Sequence, residues 1–344
     1  MRIVLLSPFT SGPLRGNMIT VQRIAHHLPT VGCESAIIGL DAVSPDQAQQ
    51  LIDQFQPKLL HAFHAFHSGP TARLLARQTG RPYVVTMTGS DLYDPEFCRH
   101  PDTLLALQDA AAITCFDPLA ADQLIQCHPE LEPRVQVIPQ GVTPLAAAEP
   151  FPRPADSFII LLPAAIRPVK GILEAVTALA PLADQDPRLQ LWLAGGDLDA
   201  RYAAQVRHQA AGLPWVRLLG EVPHQRMGDL LAACDLVLNN SSFEGGMANT
   251  LLEAMAAAKP VIASDVAGNR SLIRHGDTGW LFTDQRQLPQ LMQPLLTRPK
   301  LLHETGAAAK AFVTSRFSPQ HEAAALTALY TRLVLTMSAT ADSN

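Results

Sequence analysis

The sequence predicts an α/β protein of two doubly wound domains, each a parallel sheet with helices on both faces. Three observations carry this expectation. In each half, short apolar runs alternate with helix-forming segments, the pattern of strands and crossovers in parallel sheets. A proline-rich stretch, Ala146-Ala-Ala-Glu-Pro-Phe-Pro-Arg-Pro-Ala155, interrupts the alternation and reads as an extended linker. Glycine-bearing turns follow several strands and precede helices, where open α/β sheets place their ligands. With 344 residues, 47% hydrophobic and 17% charged, the chain can bury two cores of ordinary size.

In the first half the strand-like runs are Ile3–Ser7, Ser35–Gly39, Leu59–Ala62, Tyr83–Thr88, Ala112–Phe116 and Val135–Pro139. Helical patterns such as Ile19–Leu28 and Pro101–Ala110 lie between them. In the second half the runs are Phe158–Pro163, Leu189–Ala194, Trp215–Leu219, Leu236–Asn239, Pro260–Ser264 and Gly279–Phe282. The expected division is a first domain over residues 1–150 and a second over 151–318, with a C-terminal helix within 319–337 packing back towards the first. The two domains are expected to face each other across a cleft at the carboxyl ends of their strands.

Composition excludes several classes. Residues 1–150 carry 9 Lys/Arg against 14 Asp/Glu, and residues 151–344 carry 17 of each, so neither half offers a basic groove for nucleic acid. No polybasic patch for anionic lipid is visible, and no run of 18 apolar residues suggests a membrane span. Met1–Ser7 is too short and too soon followed by Pro8 for a signal peptide, and reads as the first strand. Five scattered cysteines without a CxxC pair fit a reduced, cytoplasmic compartment.

The densest chemistry lies in Asn240–Ala256, Asn-Ser-Ser-Phe-Glu-Gly-Gly-Met-Ala-Asn-Thr-Leu-Leu-Glu-Ala-Met-Ala. A buried strand precedes it, and strong helix formers run from Thr250 to Ala258. The glycines and the cap-competent Asn249-Thr250 pair make an anion site at a helix start. Glu244 and Glu253 flank that site. Bound phosphate repels carboxylates, so their natural partners are hydroxyls, as on sugars. An ordinary βα turn could carry the same residues. Upstream, Ala165-Ile-Arg-Pro-Val-Lys-Gly171 sets Arg167 and Lys170 after a strand, where two cations complement a diphosphate. A solvated basic turn is the alternative.

Other constellations are less specific. The loop Pro8–Asn17 carries Gly12 and Gly16 without GxGxxG, so it fits a flexible cover over phosphate or acceptor, or a plain turn. His61, His64 and His67 lie around a strand end with no HExxH and no nearby cysteine; they read as a polar wall, with His64 facing an acceptor, rather than as a metal site. The triplets Asp184-Gln-Asp186 and Asp197-Leu-Asp199 read as surface turns, so neither a metal nor another cofactor is expected. Thr88-Gly-Ser-Asp91 follows a buried strand. Asp91 is expected to face the cleft with Ser90, Asn17 and His64 and to disfavour an anionic acceptor; a turn cap is the alternative.

These residues resemble the retaining glycosyltransferase family 4, of GT-B fold with two Rossmann-like domains. The resemblance is carried by Arg167-Pro-Val-Lys-Gly171, Leu193-Ala-Gly-Gly196, Leu219-Gly-Glu-Val222, Ser242-Phe-Glu-Gly245, Leu251-Leu-Glu-Ala-Met255 and Pro260-Val-Ile-Ala-Ser264, with Val137-Ile-Pro-Gln-Gly-Val142 before the linker. It implies transfer of a hexose or N-acetylhexosamine from a nucleotide diphosphate sugar, with UDP expected, to an unidentified acceptor without a metal. Arg167 and Lys170 would hold the diphosphate, Glu244 the donor sugar and Glu253 the ribose. Gly245, Gly246, Met247, Ala248, Asn249 and Thr250 would surround sugar and phosphates, Glu221 and Val222 would meet the base, and Gly16 and Asn17 would approach the donor.

Two departures from the family pattern stand out. Glu244 and Glu253 are nine apart where the family usually has eight, with Gly245-Gly246 where one glycine is common. Thr88 stands where the family usually has a histidine before glycine. Gly16-Asn-Met-Ile-Thr20, Thr88-Gly-Ser-Asp-Leu-Tyr93 and Glu244-Gly-Gly246 are also similar to selenosugar synthases, which implies transfer to a selenium nucleophile as an alternative. A non-catalytic sugar-nucleotide-binding protein is the alternative from a different class.

Overall fold

Ile3, Val4, Leu5 and Leu6 are all fully buried, so β1 (Arg2–Ser7) has no face for solvent and must lie inside a covered sheet. The computed structural model describes residues 1–13, 15–244 and 246–341, with side chains as far as Met337. β1 is joined by β2 (Glu34–Gly39), β3 (Leu59–Phe63), β4 (Tyr83–Thr86), β5 (Ala112–Cys115) and β6 (Val135–Val137) in a six-stranded sheet of order β2-β1-β3-β4-β5-β6. Every pairing in it is parallel; Val4, for example, lies opposite Ala36 on one side and Leu60 on the other.

The second sheet contains β7 (Phe158–Pro163), β8 (Leu189–Ala194), β9 (Val216–Gly220), β10 (Leu236–Asn239), β11 (Val261–Ser264) and β12 (Trp280–Phe282). Its order is β12-β11-β10-β7-β8-β9, again parallel throughout. All twelve strand-like runs of the sequence are therefore strands, with ends shifted by a residue or two.

The first sheet is crossed by α1 (Gly16–His27), α2 (Pro45–Phe55), α3 (Gly69–Thr79), α4 (Ser90–Tyr93), α5 (Pro95–Cys98), α6 (Pro101–Asp109) and α7 (Pro118–Cys127). The second carries α8 (Ile172–Gln185), α9 (Ala200–Ala210), α10 (Met227–Ala233), α11 (Asn249–Ala256), α12 (Ala267–Arg270), α13 (Leu288–Leu296) and α14 (Pro299–Arg316). α15 (Pro319–Ala341) ends the chain's described part. No described helix is long and apolar enough to cross a membrane, and all five cysteines are free thiols.

Two compact units result. Unit 1 comprises residues 1–141, the short stretch at Gly246–Met247 and the chain from Phe317 onward; unit 2 comprises Val142–Glu244 and Ala248–Arg316. α15 is part of unit 1 because Ala323, Leu326, Leu329 and Tyr330 are buried in one core with Ile3, Leu5, Val21 and Ile24. Its Glu322 also pairs with Arg23 Nε at 3.0 Å.

The units divide after Gly141, ahead of the proline-rich stretch, which is held against unit 2 and does not run free. The Ala148 and Glu149 amides donate to Asp229 Oδ1 at 2.8 and 2.9 Å, Arg226 stacks 4.6 Å over Phe151, and Arg153 pairs with Asp235 at 2.8 Å. Pro150, Pro152 and Pro154 have no amide to satisfy, so this segment packs without a ladder.

Strand order fixes where ligands can enter. A doubly wound sheet opens a crevice at the point where successive connections leave in opposite directions. In unit 2 that point lies between β7 and β10; in unit 1 it lies between β1 and β3.

Candidate active site

At the switch point of unit 2 the loops after β7 and β10 are tied together. Asn240 Nδ2 donates to the Gly171 carbonyl, and the Ser242 amide donates to the Val169 carbonyl at 2.9 Å. Gly171 has φ 58°, and a Cβ there would lie 2.5 Å from the Asn240 carbonyl oxygen, so only glycine fits both the backbone and the space. The 3₁₀ turn Pro168–Lys170 is thereby held with Lys170 pointing at Glu244.

Lys170 Nζ donates to Glu244 Oε1 at 2.6 Å and to Ser241 Oγ at 3.2 Å. Ser241 Oγ and Asn239 Nδ2 also donate to Glu244 Oε1, at 2.6 and 3.2 Å. Burial alone would push the Glu244 carboxyl up. The Lys170 charge and the bonds from Lys170, Ser241 and Asn239 outweigh it and hold Glu244 below the usual carboxylate range. All three bonds end on Oε1. Arg167 stands just ahead of the turn, exposed at the same loop.

α11 begins at Asn249, but its N-cap is Ala248 and no side chain caps it, contrary to the capping expected of Asn249-Thr250. Those two residues form the first turn instead. Gly246, Met247 and Ala248, just before the helix, are buried; Gly245 lies outside the described residues. Glu253, one turn further along α11, is 8% exposed and meets His224 Nε2 at 2.7 Å through Oε1. Glu221 and Val222 follow β9, Glu221 exposed and Val222 buried, on the loop that leads to His224.

The residues expected on the acceptor side lie in unit 1, and Asp91 among them is a buried residue. It is 1% exposed, and its carboxylate accepts from the amides of Ala65 (2.7 Å), Thr88 (3.0 Å) and Gly89 (2.7 Å). Asp91 therefore knits the loops after β3 and β4 together, with both carboxylate oxygens accepting from backbone amides. The sequence could not show that three amides converge on it from two separate loops.

His64, 3% exposed, is held at φ 79°, a left-handed conformation that costs energy for a non-glycine residue. Burial pushes its imidazole down, against the pull of Asp91 Oδ2 at 4.0 Å, so it is neutral near pH 7. Its Nδ1 accepts from the His67 amide at 3.2 Å, which leaves the proton on Nε2, donated to Ser90 Oγ at 2.9 Å. Gly16 and Asn17 open α1 in the same unit. His61 is a core residue. Its ring nitrogens meet Tyr330 Oη and Thr86 Oγ1, both at 2.6 Å, and burial pushes it down to about 3.

The acidic triplets have local partners. Asp186 pairs with Arg188 at 2.6 Å, Asp197 pairs with Arg207, and Asp199 accepts from the Tyr202 amide as the N-cap of α9. No group of three or more metal-ligating side chains is found among the described residues. Sequence reasoning missed His224, which gives no motif signal. It also missed Asn239 and Ser241, although a polar Asn-Asn-Ser run directly after a buried strand marks a strand end occupied by more than a turn.

Two doubly wound parallel units, each with polar side chains gathered at its switch point, define a GT-B fold. The family model described as "Glycosyl transferases group 1" matches residues 157–298, and that described as "Glycosyl transferase 4-like domain" matches residues 11–141. The chain belongs to the group 1, GT4-like glycosyltransferases and is a glycosyltransferase. It is 24% identical over 322 residues to a glycosyltransferase 1 domain-containing protein 1 of Xenopus tropicalis, covering 88% of this chain and 90% of that one. It is 28% identical over 301 residues to a D-inositol 3-phosphate glycosyltransferase of Thermobispora bispora, covering 78% and 69%. Among solved structures, a sucrose-phosphate synthase from Thermosynechococcus elongatus superposes with TM-score 0.82 at 20% identity, covering 97% and 99%. HepE of Anabaena in complex with UDP and glucose superposes with TM-score 0.74 at 19% identity, covering 100% of both chains. Likeness at this identity speaks for the fold.

Proposed function

We propose that the chain moves a hexose or N-acetylhexosamine from a UDP-sugar to an acceptor, with retention at the anomeric carbon and without a divalent cation. The observation that carries the reading is the cluster of Lys170, Glu244, Ser241 and Asn239 at the β7/β10 switch point, with Arg167 on the same loop. A lysine held at the mouth of a parallel sheet beside an arginine supplies the positive charge that a departing diphosphate needs.

Glu244 has its Oε1 engaged by three donors and would offer Oε2 to a donor-sugar hydroxyl. Glu253, steadied by His224, would take the ribose hydroxyls, and the first-turn amides of α11 would meet the phosphates. Glu221 and Val222 would meet the base. In the step itself the bond from anomeric carbon to diphosphate oxygen breaks and the bond to the acceptor forms on the same face. The acceptor proton passes to the leaving diphosphate, so no protein base is called for. Arg167 and Lys170 stabilise the charge that develops. His64 and Ser90, with Asn17 at the start of α1, make the acceptor side.

A UDP donor is supported by the similarity in fold to HepE of Anabaena, whose structures were solved with UDP and UDP-glucose. Thermal shift against UDP-, GDP- and ADP-sugars tests it: only the UDP series should raise Tm by mass action, and a larger rise with GDP or ADP would overturn the donor assignment. The anomeric configuration of the product, read by proton NMR, tests retention.

A further inference from the structure

The loops after β1, β3 and β4, three adjacent strands of unit 1, each leave a buried polar atom without a partner among the described residues: Arg15 Nε, Ser68 Oγ and Thr88 Oγ1. Buried polar groups are nearly always bonded, and orphans on the loops after three adjacent strands call for an explanation. Thr88 is also the residue that stands in place of the family's histidine.

Arg15 sits on an anchored loop. Asp41 anchors the loop ahead of it, accepting from the amides and hydroxyls of Thr10 and Ser11 at 2.6–3.0 Å. The Arg15 guanidinium lies 3.7 Å from the Phe9 ring centroid, and Phe9 meets the His67 ring edge-on at 5.4 Å. Among the described residues Arg15 forms no ion pair with a carboxylate. Asp41 and Asp91, acidic groups on the neighbouring loops, have their oxygens occupied by the loops themselves.

Ser90 completes the arrangement. Because His64 carries its proton on Nε2 and donates it to Ser90 Oγ, the Ser90 hydroxyl hydrogen is directed away from His64 and is available to another acceptor atom. The relay runs from the His67 amide through the imidazole to the serine, and it presents a donor. His67, whose ring lies 4.3 Å from that of His64, is exposed; burial of part of the ring, with His64 and Arg15 nearby, pushes it down to about 4. A cation and a hydroxyl donor on neighbouring loops suit an oxyanion.

We propose that the β1/β3/β4 loops of unit 1 bind an oxyanion group of the acceptor, such as a phosphate, with Arg15 as its charge partner and Ser90 as a hydroxyl donor. That the ligand is the acceptor rests on the transfer reading above; that an oxyanion binds here does not. The test titrates the full chain, saturated with UDP, with inorganic phosphate at constant ionic strength, following the ring-proton NMR resonances of His64 and His67. Wild type should show saturable shifts with phosphate and none with chloride. Arg15→Gln should weaken the phosphate response at least fivefold, and Phe9→Leu, which removes the stacking surface, should weaken it less. No saturable shift in wild type, an equal response to chloride, or an unaltered titration in Arg15→Gln would overturn the proposal. Hydrolysis of UDP-sugar by wild type is measured separately. Its absence counts against the transfer reading alone, since phosphate binding at these loops does not require turnover.

Discussion

Lys170→Met removes the cation of the unit 2 cluster while keeping most of its apolar stem. Lys170 and Glu244 side chains are 17% and 15% exposed, so the pair is largely screened from water and its 2.6 Å contact is a charge-assisted hydrogen bond. Such a bond contributes about 1.5–3 kcal/mol, which corresponds to roughly 10- to 150-fold in kcat/KM if Lys170 also meets the diphosphate. The same loss lowers Tm by roughly 3–12 °C for a unit of this size.

The pH dependence gives an independent reading. In wild type Glu244 titrates below its ordinary 4.5, so its contribution to stability is present above that value and is lost as pH falls through the folded value. In Lys170→Met burial is no longer offset by the lysine, the Glu244 pKa rises, and the pH dependence that Glu244 gives to stability should weaken or reverse. The double variant Lys170→Met/Glu244→Gln should recover much of the Tm and none of the turnover. Unchanged kcat/KM in the single variant, or turnover restored in the double variant, would show that Lys170 is only a counter-ion for Glu244.

Other positions follow from the same geometry. Asp91→Asn replaces by a donor one of the two carboxylate oxygens that accept from three amides, and should cost roughly 2–4 kcal/mol in chemical denaturation; a neutral result would contradict the buried role. His61 is buried neutral, held near 3, so stability is full above about 6.5 and falls as pH drops towards the folded value. His61→Gln should flatten the Tm profile between pH 4 and 6 by up to about one proton, about 1.4 kcal/mol per pH unit, and an identical slope would count against it. His224→Ala should release Glu253 and reduce the preference for UDP over 2′-deoxy-UDP in calorimetry. If Glu253 needs no such support, the preference will not change.

Much of the fold is legible in the sequence because parallel strands buried on both faces are written as short apolar runs, and Phe158-Ile-Ile-Leu-Leu-Pro163 is such a run from end to end. The unit 2 cluster is legible for a related reason. Arg167, Lys170 and Glu244 follow strands directly, so strand order alone brings them together. What stays hidden depends on chain segments far apart in sequence. Asp91 has the position of a cleft residue, and only the Ala65 amide, on another loop, reveals its buried role. The Tyr330 hydroxyl that holds His61 lies 269 residues away, and the Glu253 partner His224 lies 29 residues away on a loop with no pattern of its own. The boundary between the units falls earlier than the proline-rich stretch suggests, because proline content signals an extended chain and says nothing of whether that chain is packed.

The most direct test of the proposed transfer is release of UDP from UDP-glucose and UDP-N-acetylglucosamine by chelator-dialysed protein, compared with Lys170→Met and Arg167→Ala. The account predicts slow but measurable release by wild type after chelation, unchanged by added magnesium or manganese and reduced at least tenfold in each variant. No release from either donor, or release that appears only when the metal is restored, would contradict it.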